Sequence, residues 1–132
     1  MTKFIIEANN EVVLCEFEED VSPITCAAIK GLLPYKAPAS FAKTAGDEMF
    51  IPVPLKNALS GEGKRILECV KPGSIVLWPN RCTVCFFHSQ PQFAEEGKVV
   101  PVGHVIENLD GFGRILMAVR EKQGIEIFLH EA

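Results

Sequence analysis

The sequence predicts a mainly β fold: a closed antiparallel barrel of about eight strands with two short helices capping its ends. Three observations predict it. Short β-rich runs recur along the 132 residues and are separated by Asn, Gly and Pro turn signals. Only two stretches, opening at Ser22-Pro23 and at Asn108-Leu109-Asp110, start like helices and continue with apolar residues at helical spacing. No internal repeat, low-complexity segment or linker divides the chain, so residues 1–132 read as a single domain with its own core.

The elements follow in order. Lys3–Ala8 and Glu11–Phe17 flank Asn9-Asn10, and paired Asn residues tolerate the positive φ of a tight primed turn. In the second run Val13, Cys15 and Phe17 alternate with Val12, Leu14 and Glu16, which predicts a strand covered at least in part on both faces. Ser22 is the expected cap of the first helix, and Pro23 suits its first position. Ile24, Ala27, Ala28 and Leu32 form its predicted apolar stripe. Gly31 and Pro34 should end it after roughly nine to eleven residues. From Tyr35 the texture is strand-like, with Ala37, Ala39, Phe41 and Lys43 on one face. Ala45-Gly46-Asp47 turns the chain and Glu48–Val53 returns, confined by Pro52 and Pro54 to an edge or an end. Asn57–Lys64 reads as a loop, and Arg65–Val70 stays open between a strand and a turn of helix.

The run from Gly73 to His88 is the most distinctive. Two apolar strands flank Trp78-Pro79-Asn80-Arg81, which holds the only Trp, and the second strand ends in Phe86-Phe87-His88. Ser89–Lys98 reads as a loop and Val99–Glu107 as a strand. The second helix carries Leu109, Phe112, Leu116 and Val119 on one face and stops at Gly124. Ile125, Ile127 and Leu129 alternate with Glu126, Phe128 and His130 in a last strand.

Composition narrows the function classes. A formal charge of −4 with scattered basic residues, the longest cluster being Lys64-Arg65, argues against nucleic acid as a partner. No apolar run approaches the roughly 20 residues of a membrane span, and the start from Met1 does not read as a secretory signal. The expectation is a cytoplasmic protein. Five cysteines, an odd number, then read as reduced thiols, with Cys15 and Cys26 as small core residues. Cys82 and Cys85 have a metal-like spacing, but residues three apart on a strand face opposite ways and no second pair exists. No metal and no cofactor is expected. Cys85 with His88 or His104 could form a nucleophile and base, yet no surrounding signature supports it; a buried thiol beside a half-exposed imidazole is the simpler reading.

A pocket is expected where turns meet aromatic residues, formed by Phe41, Glu48, Phe50, Trp78, Arg81, Phe86 and His88. Mostly apolar walls with a few fixed polar groups suit a small molecule or a peptide segment. The plain alternative makes Glu48 and Arg81 solvated turn charges. A catalytic reading would use Glu48 and His88 as acid and base with Arg81 stabilising an anion. A third reading is an interaction module, or a homo-oligomer, assembled through strand edges or aromatic surface.

Several segments resemble the cyclophilins. Glu11 to Thr25 is similar to their second strand and first helix, Val102 to Gly111 to the segment before their second helix, and Phe86-Phe87 to a paired phenylalanine on a central strand. The pattern Gly46-Asp47-Glu48, Trp78-Pro79, Phe86-Phe87 resembles small prokaryotic cyclophilin-like proteins of unknown function. The resemblance implies a cyclophilin-like barrel. Prolyl isomerases of that fold use an arginine in the region matching Phe41–Phe50, which here contains none, so no isomerase activity is expected; the enzyme alternative is a divergent prolyl isomerase, or a small-molecule hydrolase or isomerase using Glu48, Arg81 and His88.

Overall fold

The computed structural model describes residues 2–42, 47–55, 61–90 and 98–132. Lys43, the expected turn residues Ala45 and Gly46, and parts of the two expected loops (57–60 and 91–97) lie outside the described residues. The chain runs β1 (Lys3–Ala8), β2 (Glu11–Phe17), α1 (Pro23–Lys30), β3 (Tyr35–Pro38), β4 (Ser40–Ala42), β5 (Glu48–Pro52), β6 (Lys64–Arg65) and α2 (Ile66–Cys69). It continues with β7 (Ser74–Trp78), a single 3₁₀ turn (Pro79–Arg81), β8 (Thr83–Phe87), β9 (Lys98–Glu107), α3 (Leu109–Glu121) and β10 (Glu126–Glu131).

The fold is the mainly β barrel that the sequence predicts. Nine strands follow the order β3-β10-β1-β2-β9-β7-β8-β5-β4, all pairs antiparallel, with β6 added beside β9. The two ends of that order, β3 and β4, are halves of one extended segment that changes partner at Ala39. The Ala39 N–H donates to Ile125 O at 2.9 Å, and Ala39 O accepts from the Gly124 N–H at 2.9 Å. The sheet thereby closes on itself. The Asn9-Asn10 turn has φ of 50° and 64°, as a primed hairpin requires. β1 and β10 lie side by side, with Phe4 opposite Glu131 and the Ala132 N–H on Lys3 O at 3.3 Å.

Residues alternate across the barrel wall. Phe4, Ile6, Val13, Cys15, Phe17, Met49, Ile51, Ile75, Leu77, Val84 and Phe86 point inward to one core. Helix α3 caps it with Phe112, Ile115, Leu116 and Val119, and the Phe86 and Phe112 rings meet edge to face at 6.4 Å. A second, smaller core lies on the outer face of β7 and β8, where Val76, Trp78, Cys85 and Phe87 pack with Val99, Ile66 and Val70. The stretch left open at Arg65–Val70 supplies its cover: Arg65 ends the short strand β6 and Ile66–Cys69 form a single turn of helix, α2, so both alternatives hold in part.

Three local expectations are corrected. Ser22 occupies the cap position of α1 but makes no side-chain capping bond; Glu62 caps the helix instead, accepting from Ile24 N (2.9 Å), Thr25 N (2.8 Å) and Thr25 Oγ1 (2.6 Å). The helix has eight residues and buries Thr25, Cys26 and Ile29, whereas Ile24 is 55% exposed, so its inward stripe is rotated from the expected one. Leu109 is exposed in the first turn of α3. The outer face of β2 is covered in part, with Leu14 and Glu16 half-buried, while Val12 stands 53% exposed at its start. Among the described residues no helix is long and apolar enough to cross a membrane.

Phe86 carries the inner core at the point where barrel and helix meet. Truncating it leaves a cavity walled by Phe112 and the strands, so Phe86→Ala should destabilise the protein by about 3–5 kcal/mol in a denaturant titration.

Candidate functional site

The β7–β8 hairpin divides the expected pocket residues between two faces. Across it Trp78 pairs with Thr83, Val76 with Cys85 and Ser74 with Phe87, and β5 pairs on the other side of β8 with Glu48 opposite Phe87 and Phe50 opposite Cys85. Glu48, Phe50 and Trp78 therefore face outward, onto the smaller core, and Arg81 joins them from the turn. Phe86 faces inward. His88 continues that inward side: its ring lies 6.3 Å from the Phe112 ring, and a Cβ on Gly113 would meet His88 Nε2 at 2.6 Å. Phe41, opposite Met49, packs against the inner core and lies under the Arg120 guanidinium at 5.5 Å. Glu48 and His88 thus stand on opposite sides of one strand pair, not around one concavity.

The outer group is the more chemically pointed. Glu48 is only 1% exposed, although it is a carboxylate on a face otherwise made of Phe50, Trp78, Cys85 and Phe87. The Arg81 guanidinium stacks on the Trp78 ring at 4.1 Å from its centroid, well inside the cation–π range. The turn that aims it is tight: Pro79 opens the 3₁₀ turn, and Cys82 closes it in the left-handed region at φ 51°. Cys82 therefore lies in the turn rather than on the strand expected for it.

Cys85 shows that these groups share one environment. Burial pushes its thiol well above the ordinary range. The Glu48 charge and a hydrogen bond with Glu48 push it further up; Thr83 and the Arg81 charge pull it down. The Thr83 hydroxyl sits 3.6 Å from Cys85 Sγ. Cys85, Phe87 and Thr83 were outside the expected pocket, yet hairpin symmetry about Pro79–Arg81 places them on the Trp78 side. Asp47 N–H donates to Ser89 Oγ at 2.7 Å and His88 N–H to Asp47 O at 3.2 Å, fixing the far end of the same strand pair.

Two clefts lie elsewhere. One of about 460 Å³ runs beside α2, lined among others by Glu18, Val21, Lys64, Leu67 and Cys69. One of about 430 Å³ opens at the Asn9-Asn10 hairpin beside Phe128 and Lys36. His130 Nε2 is 2.9 Å from Glu7 Oε2, and His104 lies 3.9 Å from Glu16 and 3.6 Å from Glu18. Among the described residues no three His, Cys, Asp or Glu side chains gather so as to hold a metal ion. All five cysteines are free thiols.

No protein-family model matches the chain, and no curated protein matches it. Solved structures do. McbB, solved in complex with tryptophan, superposes with a TM-score of 0.78 at 18% identity over 97% of this chain, which spans 44% of McbB. The hypothetical protein AF2241 from Archaeoglobus fulgidus superposes with a TM-score of 0.74 at 17% identity, over 99% of this chain and 95% of its own. At such identities the likeness shows the fold, a mainly β, nearly closed antiparallel barrel, and leaves the chemistry to the residues.

The environments of the thiols set an order of reactivity. Cys15, Cys26 and Cys85 are at most 2% exposed, and burial pushes all three up; burial also raises Cys69, to about 11. Alkylation of the native protein at neutral pH should label the half-buried Cys82 first and Cys69 slowly, and reach the other three only on unfolding, as site-resolved mass spectrometry would read.

Proposed function

We propose that this barrel is a binding module for a small planar or anionic molecule, or a peptide segment presenting such a group, at the outer face of β5, β8 and β7. Arg81 supplies the anion contact. Trp78 and Phe50 supply the stacking surface. Glu48 is the fixed negative group that orients what binds and selects against a second negative charge. The single observation that carries this reading is the Arg81 guanidinium held on Trp78, on the same face as a carboxylate that is 1% exposed, with both charges felt by the Cys85 thiol. A carboxylate buried this deeply is uncommon, and buried ionisable groups concentrate at functional sites. A stacked guanidinium is also pre-organised, so less side-chain entropy is lost when a ligand carboxylate or phosphate meets it. The tryptophan in the McbB complex supports a small planar ligand as something a barrel of this shape can hold.

The same geometry favours binding over acid–base catalysis, because the pair a catalytic mechanism would need, Glu48 and His88, is separated by the sheet. Phe41, Phe86 and His88 serve in this reading as the inner wall against α3 that keeps the strand pair in place. Prolyl isomerisation is not part of the reading. The Phe41–Phe50 segment has no arginine to polarise a prolyl amide.

Two measurements test it. Titration with 4-nitrobenzoate, a planar anion, should quench the single Trp, and Arg81→Ala should weaken binding by about 1–3 kcal/mol in a protein that still folds. Tryptophan itself can be titrated by calorimetry. A folded protein whose Trp emission ignores the anion, or whose affinity is indifferent to Arg81→Ala, would overturn the site. On a proline tetrapeptide the protein should show no turnover above the uncatalysed rate; catalysis at enzyme concentrations far below the substrate would contradict the non-isomerase reading.

A further inference from the structure

The residues from Gly61 to Lys71 cross the outer face as a strap. Ile66 and Val70, 1% and 3% exposed, are its buried apolar side chains, and they pack with Val76, Trp78, Cys85 and Phe87. The strap is therefore the cover of the face to which the ligand site is assigned. Its attachments along the way are slight. β6 contributes two residues, Lys64 opposite Val99 and Arg65 opposite Lys98. At the far end Lys71 N–H donates to Ser74 Oγ at 3.0 Å, and that hydroxyl is 3.4 Å from Cys69 O. The cleft of about 460 Å³ already opens between the strap, at Lys64, Leu67 and Cys69, and the barrel, at Glu18, Val21 and Pro101.

The head of the strap is held differently. Glu62 reaches a helix 37 and 38 residues earlier in the chain and takes three hydrogen bonds there, from two backbone N–H groups and the Thr25 hydroxyl. Helix α1 has no acidic residue in its first turn, and Ser22 makes no capping bond. Glu62 thus supplies both the missing acceptor and the negative charge that a helix N-terminus favours. Burial pushes its carboxyl up, but the hydrogen bonds from Thr25 and Ile24 outweigh this and hold it below the ordinary range. On one side Gly61 turns the chain at φ +85°, with nothing within 4 Å of a Cβ; on the other Gly63 runs against Lys98, whose Cβ a side chain there would meet at 3.1 Å. This charged contact is the most concentrated polar tie between the strap and the rest of the barrel.

We infer that Glu62 is a latch: docked on the N-terminus of α1, it holds the strap down over Trp78, and its release admits ligand to the outer-face site. The inference rests on the reading of that face as a binding site. Glu62 acts at a distance from the ligand, as a positioning residue that sets how often the site is open.

The experiment compares the whole protein with Glu62→Gln, which keeps the shape and removes the charge, and with Thr25→Val, which removes one donor. Hydrogen exchange at Val70, whose N–H is bonded to Ile66 O, and alkylation of Cys69 report strap opening; exchange at Ile6 and Val13 reports the barrel. Glu62→Gln should speed both strap readouts about tenfold or more, Thr25→Val less, with the barrel amides unchanged. The association rate of 4-nitrobenzoate should rise in step with strap opening. Unchanged strap readouts in folded Glu62→Gln overturn the latch. So does an equal loss of protection at Ile6 and Val13, which would make Glu62 a support of the whole barrel. If the strap opens but association does not quicken in a protein that binds the anion, the gating is overturned. If the strap opens and neither protein binds the anion, the ligand-site reading fails and the latch itself stands.

Discussion

Closure at Ala39 is the constraint on which the rest of this structure depends. One extended segment, 35–42, serves β10 with its first half and β5 with its second, and the change of partner falls on a residue that is fully buried and hydrogen-bonded to both Ile125 and Gly124. A sheet closed this way has no long exposed edge to invite pairing with another chain. It also leaves β5 paired on both sides, so the strand that carries Glu48 cannot shift register without disturbing β4 and β8 together. The buried carboxylate is held in place by that double pairing.

A barrel wall has two faces, and here both are put to use. The inner face is filled by large apolar side chains and sealed by α3, where Gly113 brings the helix close enough for the His88 ring to rest against it. The outer face would ordinarily be polar. On β7 and β8 it is not: Val76, Trp78, Cys85 and Phe87 are all at most 4% exposed. Those residues need a cover, and the strap with Ile66 and Val70 provides it. Polar groups are then concentrated around this second core, with Arg81 at the hairpin end, Glu48 opposite Phe87 at the far end and Glu62 at the head of the strap. A continuous inner core gives rigidity; a small outer core under a lightly tied strap gives a place where opening costs little.

Much of the architecture was legible in the sequence. Asn9-Asn10 and Trp78 to Arg81 marked their hairpins, because few residues tolerate the backbone angles of tight turns. Alternation marked β10, and Gly124 marked the end of α3. What could not be read was long-range. Nothing local to Ser22-Pro23 says that the cap comes from Glu62, since the partner lies 37 and 38 residues away from the groups it caps. The inward stripe of α1 was misplaced for a related reason: Thr25 is buried because Glu62 pairs with it, and a polar residue does not announce itself as inward. For the candidate site the residue types were right to attract notice, but their grouping ignored the two-residue period of a strand. Applying that period across the hairpin separates Phe86 and His88 from Trp78 and brings Cys85 and Phe87 to its side.

The pairing of β1 with β10 carries a consequence for how such a barrel is used. The first and last strands are antiparallel neighbours, so the polypeptide enters and leaves the sheet at the same point, with Ala132 bonded to Lys3 and Phe4 opposite Glu131. A module built like this is a cassette. It can be spliced into a host chain as a side loop, with host sequence running in and out through one narrow neck, and none of its ladders need be cut.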